Sequence, residues 1–149
     1  TPMAPSDRVV AMAIIDAIDT DGMLSASIEE IRTTLFDPNL TADDQINDED
    51  IIQILGRVQQ FDPIGVGARD LRECLLLQLM QLDPATEWLE EAINVVDQHL
   101  DLLGAKDFVN LIKRTRLQES QLSEIVALIR TLQPRPGAAF DSIRRKYLC

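Results

Sequence analysis

Apolar residues recur at spacings of three and four along most of the chain, the pattern of helices that turn one face to a core. Val10, Ile14, Ala17 and Ile18 form the first stripe, with Asp7 placed to cap it and Asp21-Gly22 to stop it. Ser25 or Ser27 caps a short successor that carries Glu29 and Glu30 in its first turn and turns Ile28 and Ile31 inward. Residues 36–50 hold Pro38, Asn39, Asn47 and the acids Asp37, Asp43, Asp44, Asp48, Glu49 and Asp50 without a base, an exposed loop that ends in a cap. From about Asp48 a strong helix puts Ile51, Ile54, Leu55 and Val58 on one face, and it ends near Phe61 because Pro63 disfavours helix at Asp62. After the turn Asp62-Pro-Ile-Gly-Val-Gly67, residues 68–82 carry Leu71, Cys74, Leu75, Leu79 and Leu82 on one stripe and add Leu76 and Leu77. A helix apolar over more than one face is expected at the centre of the core.

Asp83-Pro84 reads as a subdomain boundary, with the proline in the first turn of the next helix. That helix runs to about Leu103 with Trp88, Ala92, Val95, Val96, His99 and Leu103 along one side, and Gly104 is its predicted C-cap. A shorter helix with Phe108, Val109, Leu111 and Ile112 follows, ending in Lys113, Arg114 and Arg116. A last one sets out Leu122, Ile125, Val126, Ile129 and Leu132 before Gln133-Pro-Arg-Pro-Gly137. No segment shows strand-like alternation. The expected fold is all-α, about seven helices in two small packed subdomains and no sheet. The subdomains are expected at 1–82 and 83–137, and residues 138–149 as a tail that is flexible or the product of truncating a longer protein.

Composition narrows the class. An apolar fraction of 46% suffices for a core. No apolar run approaches a membrane span, the N-terminus lacks a signal-peptide pattern, and a cytoplasmic location is expected. Cys74 and Cys149 are the two cysteines, too few for a metal cluster or a disulfide framework, so reduced thiols are expected. The net charge of −11 divides unevenly: residues 1–105 hold 5 Lys+Arg against 21 Asp+Glu, and residues 106–149 hold 9 against 4. An acidic body suits a basic protein partner or simply solubility.

Several chemistries are approached but not completed. Asp19-Thr-Asp-Gly22 invites a calcium reading, yet with Gly22 at the sixth place of an EF-hand loop the first place is Ala17 and the twelfth Ile28, so a turn is favoured. Gly65-Val-Gly67 lacks the preceding strand and third glycine of a dinucleotide loop, and position 70 is Asp70. His99, the one histidine, has no nucleophile signature around it and reads as a partly buried or solvent-edge histidine packed beside the Trp88 face of its helix. No catalytic residue, cofactor, metal or small-molecule substrate is assigned, and the chain reads as a non-enzyme. Lys113, Arg114, Arg116 and Arg130, with Arg135, Arg144, Arg145 and Lys146, have the chemistry for phosphate contact, and nucleic-acid binding by the basic C-terminal third is the alternative function. Helix C-termini that favour positive charge account for much of this set without a ligand.

One segment goes further. Residues 51–79, and above all Phe61-Asp-Pro-Ile-Gly-Val-Gly-Ala-Arg-Asp-Leu-Arg-Glu-Cys74-Leu, resemble the core-binding region of bacterial sigma-54 transcription factors. Two weaker echoes flank it in order, Ile15-Asp-Ala-Ile-Asp-Thr-Asp-Gly-Met-Leu24 and Leu132-Gln-Pro-Arg-Pro-Gly137. The resemblance covers roughly residues 8 to 137 and implies a two-subdomain helical module that holds the factor on core RNA polymerase. Other parts of a full-length factor are then expected to read promoter DNA and to answer an ATP-driven activator. Neither a glutamine-rich N-terminal region nor an Ala-Arg-Arg-Thr-Val-Ala-Lys-Tyr-Arg promoter box occurs in this sequence, and the family pattern is expected to fade after Gly137. By this resemblance the polymerase-binding residues are Phe61, Asp62, Pro63, Gly65, Val66, Gly67, Arg69, Asp70 and Arg72. Their own chemistry reads first as a proline- and glycine-built corner between two core helices.

Overall fold

The computed structural model describes residues 4–61 and 64–136. Among them are seven α-helices and one 3-10 turn, Ala42–Asp44, with isolated bridges but no strand, so the all-α expectation holds. Leu71–Pro134 forms one compact unit, and the described residues before it, with Arg135 and Pro136, form another. The division falls between Asp70 and Leu71 rather than at Asp83-Pro84.

In the first unit α1 (Pro5–Asp16), α2 (Ile28–Leu35) and α3 (Asp48–Val58) each pack on the other two. The predicted stripes supply most of the core: Ile14, Ile51, Leu55 and Val58 are fully buried, joined by Ile15 from outside the predicted stripe, each contributing about 1.5–3 kcal/mol relative to exposure. Asp7 does not cap α1. The cap is Ala4, followed by Pro5, whose missing N–H costs nothing in a first turn, and Asp7 instead adds negative charge beside the helix N-terminus. The helix also closes earlier than Asp21-Gly22, at Asp16 with Ala17 as its cap. Ser27 is the cap of α2, accepting from the Glu30 N–H at 3.0 Å. Asn47 and Asp50 form a reciprocal capping box on α3 at 2.9 and 3.1 Å. The acidic loop between them is closed by Gln45, whose amide donates to the carbonyls of Asp37 and Leu40 and accepts from the Asp37 N–H.

In the second unit α5 (Leu89–Gly104) is the hub, packing on α4 (Leu71–Met80), α6 (Phe108–Thr115) and α7 (Glu119–Arg130). Its Ala92, Val95 and Val96 share one core with Leu75, Leu76 and Leu79 of α4 and with Leu111, Leu122 and Ile125. This shared core explains the position of the boundary, because the apolar face of α4 is covered by α5. The central helix is therefore α5, and α4 leaves Leu71 and Met80 largely exposed. Asp83-Pro84 is a turn inside this unit, in which Asp83 accepts from the N–H groups of Ala85 and Thr86. Pro84 precedes α5, which begins after Trp88 in a left-handed conformation at φ 66°. Gly104, the predicted C-cap, is instead the last helical residue, with Ala105 the cap and Lys106 beyond it left-handed at φ 57°. A polar clamp ties α4 to the segment after α7: Gln78 donates to the Gln133 carbonyl and accepts from its N–H, both at 2.7 Å.

Candidate functional site

The sigma-54-like segment is positioned by a turn far from it in sequence. In residues 19–24, the Asp19 carboxylate accepts from the N–H groups of Asp21 and Met23 at 2.9 and 3.0 Å. The Asp19 N–H donates to Met23 O at 2.8 Å, and Gly22 at φ 90° allows the reversal. Ser25 secures the exit, its N–H and hydroxyl both donating to Ala17 O. The Asp19 oxygen considered for calcium is thus occupied by backbone donors, and among the described residues no cluster of three or more His, Cys, Asp or Glu is placed to hold a metal.

Residues 65–68 dock on that turn. Gly67 donates its N–H to Gly22 O, Leu24 donates its N–H to Ala68 O, each at 2.8 Å, and Met23 and Ala68 form an isolated parallel bridge. From the other side the buried Gln59, just past α3, donates its side-chain amide to Gly67 O at 3.1 Å. Val66 and Ala68 are fully buried, and Gly65 and Gly67 hold φ values of 106° and 84°. A Cβ at Gly67 would lie 3.6 Å from Val58 and Gln59 side-chain atoms and 3.7 Å from Ile18, so that any larger side chain enters the core. The Gly67 N–H that a phosphate-binding loop would offer is committed to Gly22 O.

The residues assigned to polymerase binding therefore separate. Phe61 is half-buried against the first core, and Gly65, Val66 and Gly67 are buried. Asp62 and Pro63 lie outside the described residues. Arg69 and Asp70 are exposed. Arg72 is exposed on α4 in the second unit, where it pairs with the Asp97 carboxylate and donates to Asp97 O at 3.1 Å. Gln59 belongs to the site as its clamp, and its place four residues after Leu55 puts it on the buried stripe of α3, whereas the adjacent Gln60 falls off that stripe and is exposed.

The other candidates lie in the second unit. Lys113 and Arg114 are exposed in the last turn of α6, Arg116 caps it at φ 61°, and Arg130 is the exposed last residue of α7. Asp107, the N-cap of α6, is held below the ordinary carboxylate range by the side-chain and backbone N–H groups of Asn110, with Lys113 and Arg114 adding to the effect. Arg144, Arg145 and Lys146 lie outside the described residues. His99 interrupts the α5 geometry at φ −135°, and its Nδ1 is buried without a hydrogen-bond partner among the described residues. Cys74 is buried, and burial raises its thiol pKa, partly offset by the Gln78 amide.

These features define a class, an all-helical module whose most distinctive motif is a buried backbone corner with a short exposed edge. The family model described as sigma-54 factor, core binding domain, matches residues 1–149, and the chain belongs to that family. The match runs through residues 138–149, past the point where the sequence pattern suggests a separate tail. The chain is 46% identical over 148 residues to the RNA polymerase sigma-54 factor of Azotobacter vinelandii, covering 99% of this chain and 28% of that protein. It is 45% identical over 147 residues to the factor of Pseudomonas aeruginosa strain UCBPP-PA14 and 43% over 148 residues to that of Escherichia coli K12. It spans less than a third of the length of these relatives, 28–30%.

Proposed function

We propose that this chain is the part of a sigma-54 transcription initiation factor that binds core RNA polymerase. The observation that carries the reading is the family match over residues 1–149. The module acts by binding and not by catalysis, in the cytoplasm where the polymerase works, and promoter recognition and the response to an ATP-driven activator belong to the rest of a full-length factor. Nucleic-acid binding by the basic C-terminal third is not favoured, since the family model that matches the chain is described as a core binding domain.

Within the signature, burial divides the labour. Gly65, Val66 and Gly67 maintain the fold, whereas the exposed Arg69 and Asp70 form the edge offered to the polymerase, with Phe61 supporting it. Arg72 orders the start of α4 through Asp97 and contributes to docking from there.

The purified chain is expected to co-migrate with core RNA polymerase and to compete with full-length sigma-54 factor. Absence of binding at micromolar concentrations sinks the reading. Arg69→Ala is expected to weaken binding with its circular dichroism unchanged, and a melted variant would instead make Arg69 a structural residue.

A further inference from the structure

A groove of about 490 Å³ opens between α6 and α7 in the second unit. Both helices pack on α5 but make no comparable contact with each other. The groove is lined by Phe108, Val109 and Ile112 from α6 and by Leu122, Val126 and Arg130 from α7. Val109 is 66% exposed, the most exposed of the large apolar residues described. These residues recur at helical spacing, so the sequence pattern supplies them as core positions, yet part of their apolar face is left uncovered.

Charge indicates what would cover it. Arg130 closes one end of the groove, and Arg116 stands in the connection between the two helices. Neither forms an ion pair among the described residues. Lys113 lies one helical turn beyond Val109, on the same side of α6. Glu119 is the one acid that lines the groove, about 16 Å from Arg130 along α7 by the rise of an α-helix. Apart from Ser123 the floor is thus apolar, and the Arg130 end is cationic. A phosphate backbone would satisfy the cations but leave the floor in water, and a single aromatic, Phe108, is no stacking platform for bases. An amphipathic helix satisfies both, its apolar residues filling the floor and an acidic residue meeting Arg130.

We infer that the α6–α7 groove seats a short amphipathic helix of core RNA polymerase, with an acidic residue at the end that meets Arg130. The inference rests on the proposed docking of this chain on polymerase and assigns a contact that the Arg69–Asp70 edge does not contain.

The test is a titration of core RNA polymerase against the 149-residue chain and three variants, Val109→Asp, Ala127→Glu and Arg130→Glu. All three positions are exposed, so unchanged circular dichroism is expected, and Ala127→Glu keeps the test open if Val109→Asp disturbs α6. Val109→Asp and Ala127→Glu are expected to weaken binding about tenfold, and Arg130→Glu about fivefold with a reduced salt dependence. A benzophenone side chain placed at position 109 is expected to cross-link to a helical polymerase segment of net negative charge. Wild-type affinity in all folded variants, or a cross-link to a basic or non-helical segment, overturns the groove assignment while leaving polymerase docking intact. Variants that lose duplex-DNA retention but keep polymerase affinity overturn it in favour of nucleic acid. If the wild-type chain itself does not bind, the docking reading and the groove assignment fall together.

Discussion

The two units reach a buried core by different means. In the first, three helices surround a corner of irregular backbone held by main-chain bonds between Gly22 and Gly67 and between Leu24 and Ala68. In the second, helices meet through side chains, with α5 as hub and the Gln78–Gln133 and Arg72–Asp97 contacts as ties. Charge follows the same division: residues 1–70 hold 4 Lys+Arg against 14 Asp+Glu, and residues 71–134 hold 6 against 10. A corner built from backbone tolerates change only where no Cβ is required, whereas a side-chain tie can be removed with the helices left in place. The first unit is therefore expected to fail abruptly on substitution, and the second by degrees.

The largest effect is expected at Gly67. A leucine there takes on left-handed strain and pushes into Val58 and Ile18, about 4 kcal/mol in all. Urea unfolding followed by far-UV circular dichroism measures it. Because Trp88, the only tryptophan, belongs to the second unit, its fluorescence midpoint should move less, and an equal shift would show that the units unfold together. Leu79→Ala reverses the comparison by opening a cavity in the second core, with about 3 kcal/mol lost and the Trp88 midpoint moving first. Gln78→Met keeps volume but removes the clamp on Gln133, about 1.5 kcal/mol by the same measurement. A matching loss of about 1 kcal/mol is expected for Asn47→Ala, which breaks the capping box of α3.

The smallest effect is on pH dependence. The lowered pKa of Asp107 means that its carboxylate stabilises the fold at neutral pH. That contribution is lost as pH falls from the ordinary carboxylate value, about 4, through the lower value held in the fold. Asp107→Asn should make the acid limb of an unfolding curve shallower, and an unchanged limb would remove Asp107 as a contributor.

Much of the helical framework was legible in the residues alone. The stripes of α3, α6 and α7 lie where three- and four-residue spacing predicts them, and the cap of α2 was narrowed to Ser25 or Ser27, of which the structure uses Ser27. The corner at residues 65–67 was legible as a corner, since glycines after a proline leave few alternatives. Its partner was not. Gln59 falls on the α3 stripe four residues after Leu55 and the exposed Gln60 does not, but that spacing says nothing of which backbone carbonyl its buried amide meets.

By itself the sequence determined the class and approximate number of elements, because helical periodicity and turn chemistry act over a few neighbouring residues, while the family was read from the resemblance of residues 51–79. Tertiary structure alone decided which core claims α4, which turn receives Gly67, and which signature residues remain exposed. Leu75, Leu76 and Leu79 would suit either core by composition, and the choice falls to α5 because burial depends on what lies opposite a face. Within the described signature residues, Gly65 to Ala68 are for the same reason buried while Arg69, Asp70 and Arg72 are left at the surface, since hydrogen bonds between distant turns depend on three-dimensional proximity that local spacing does not encode.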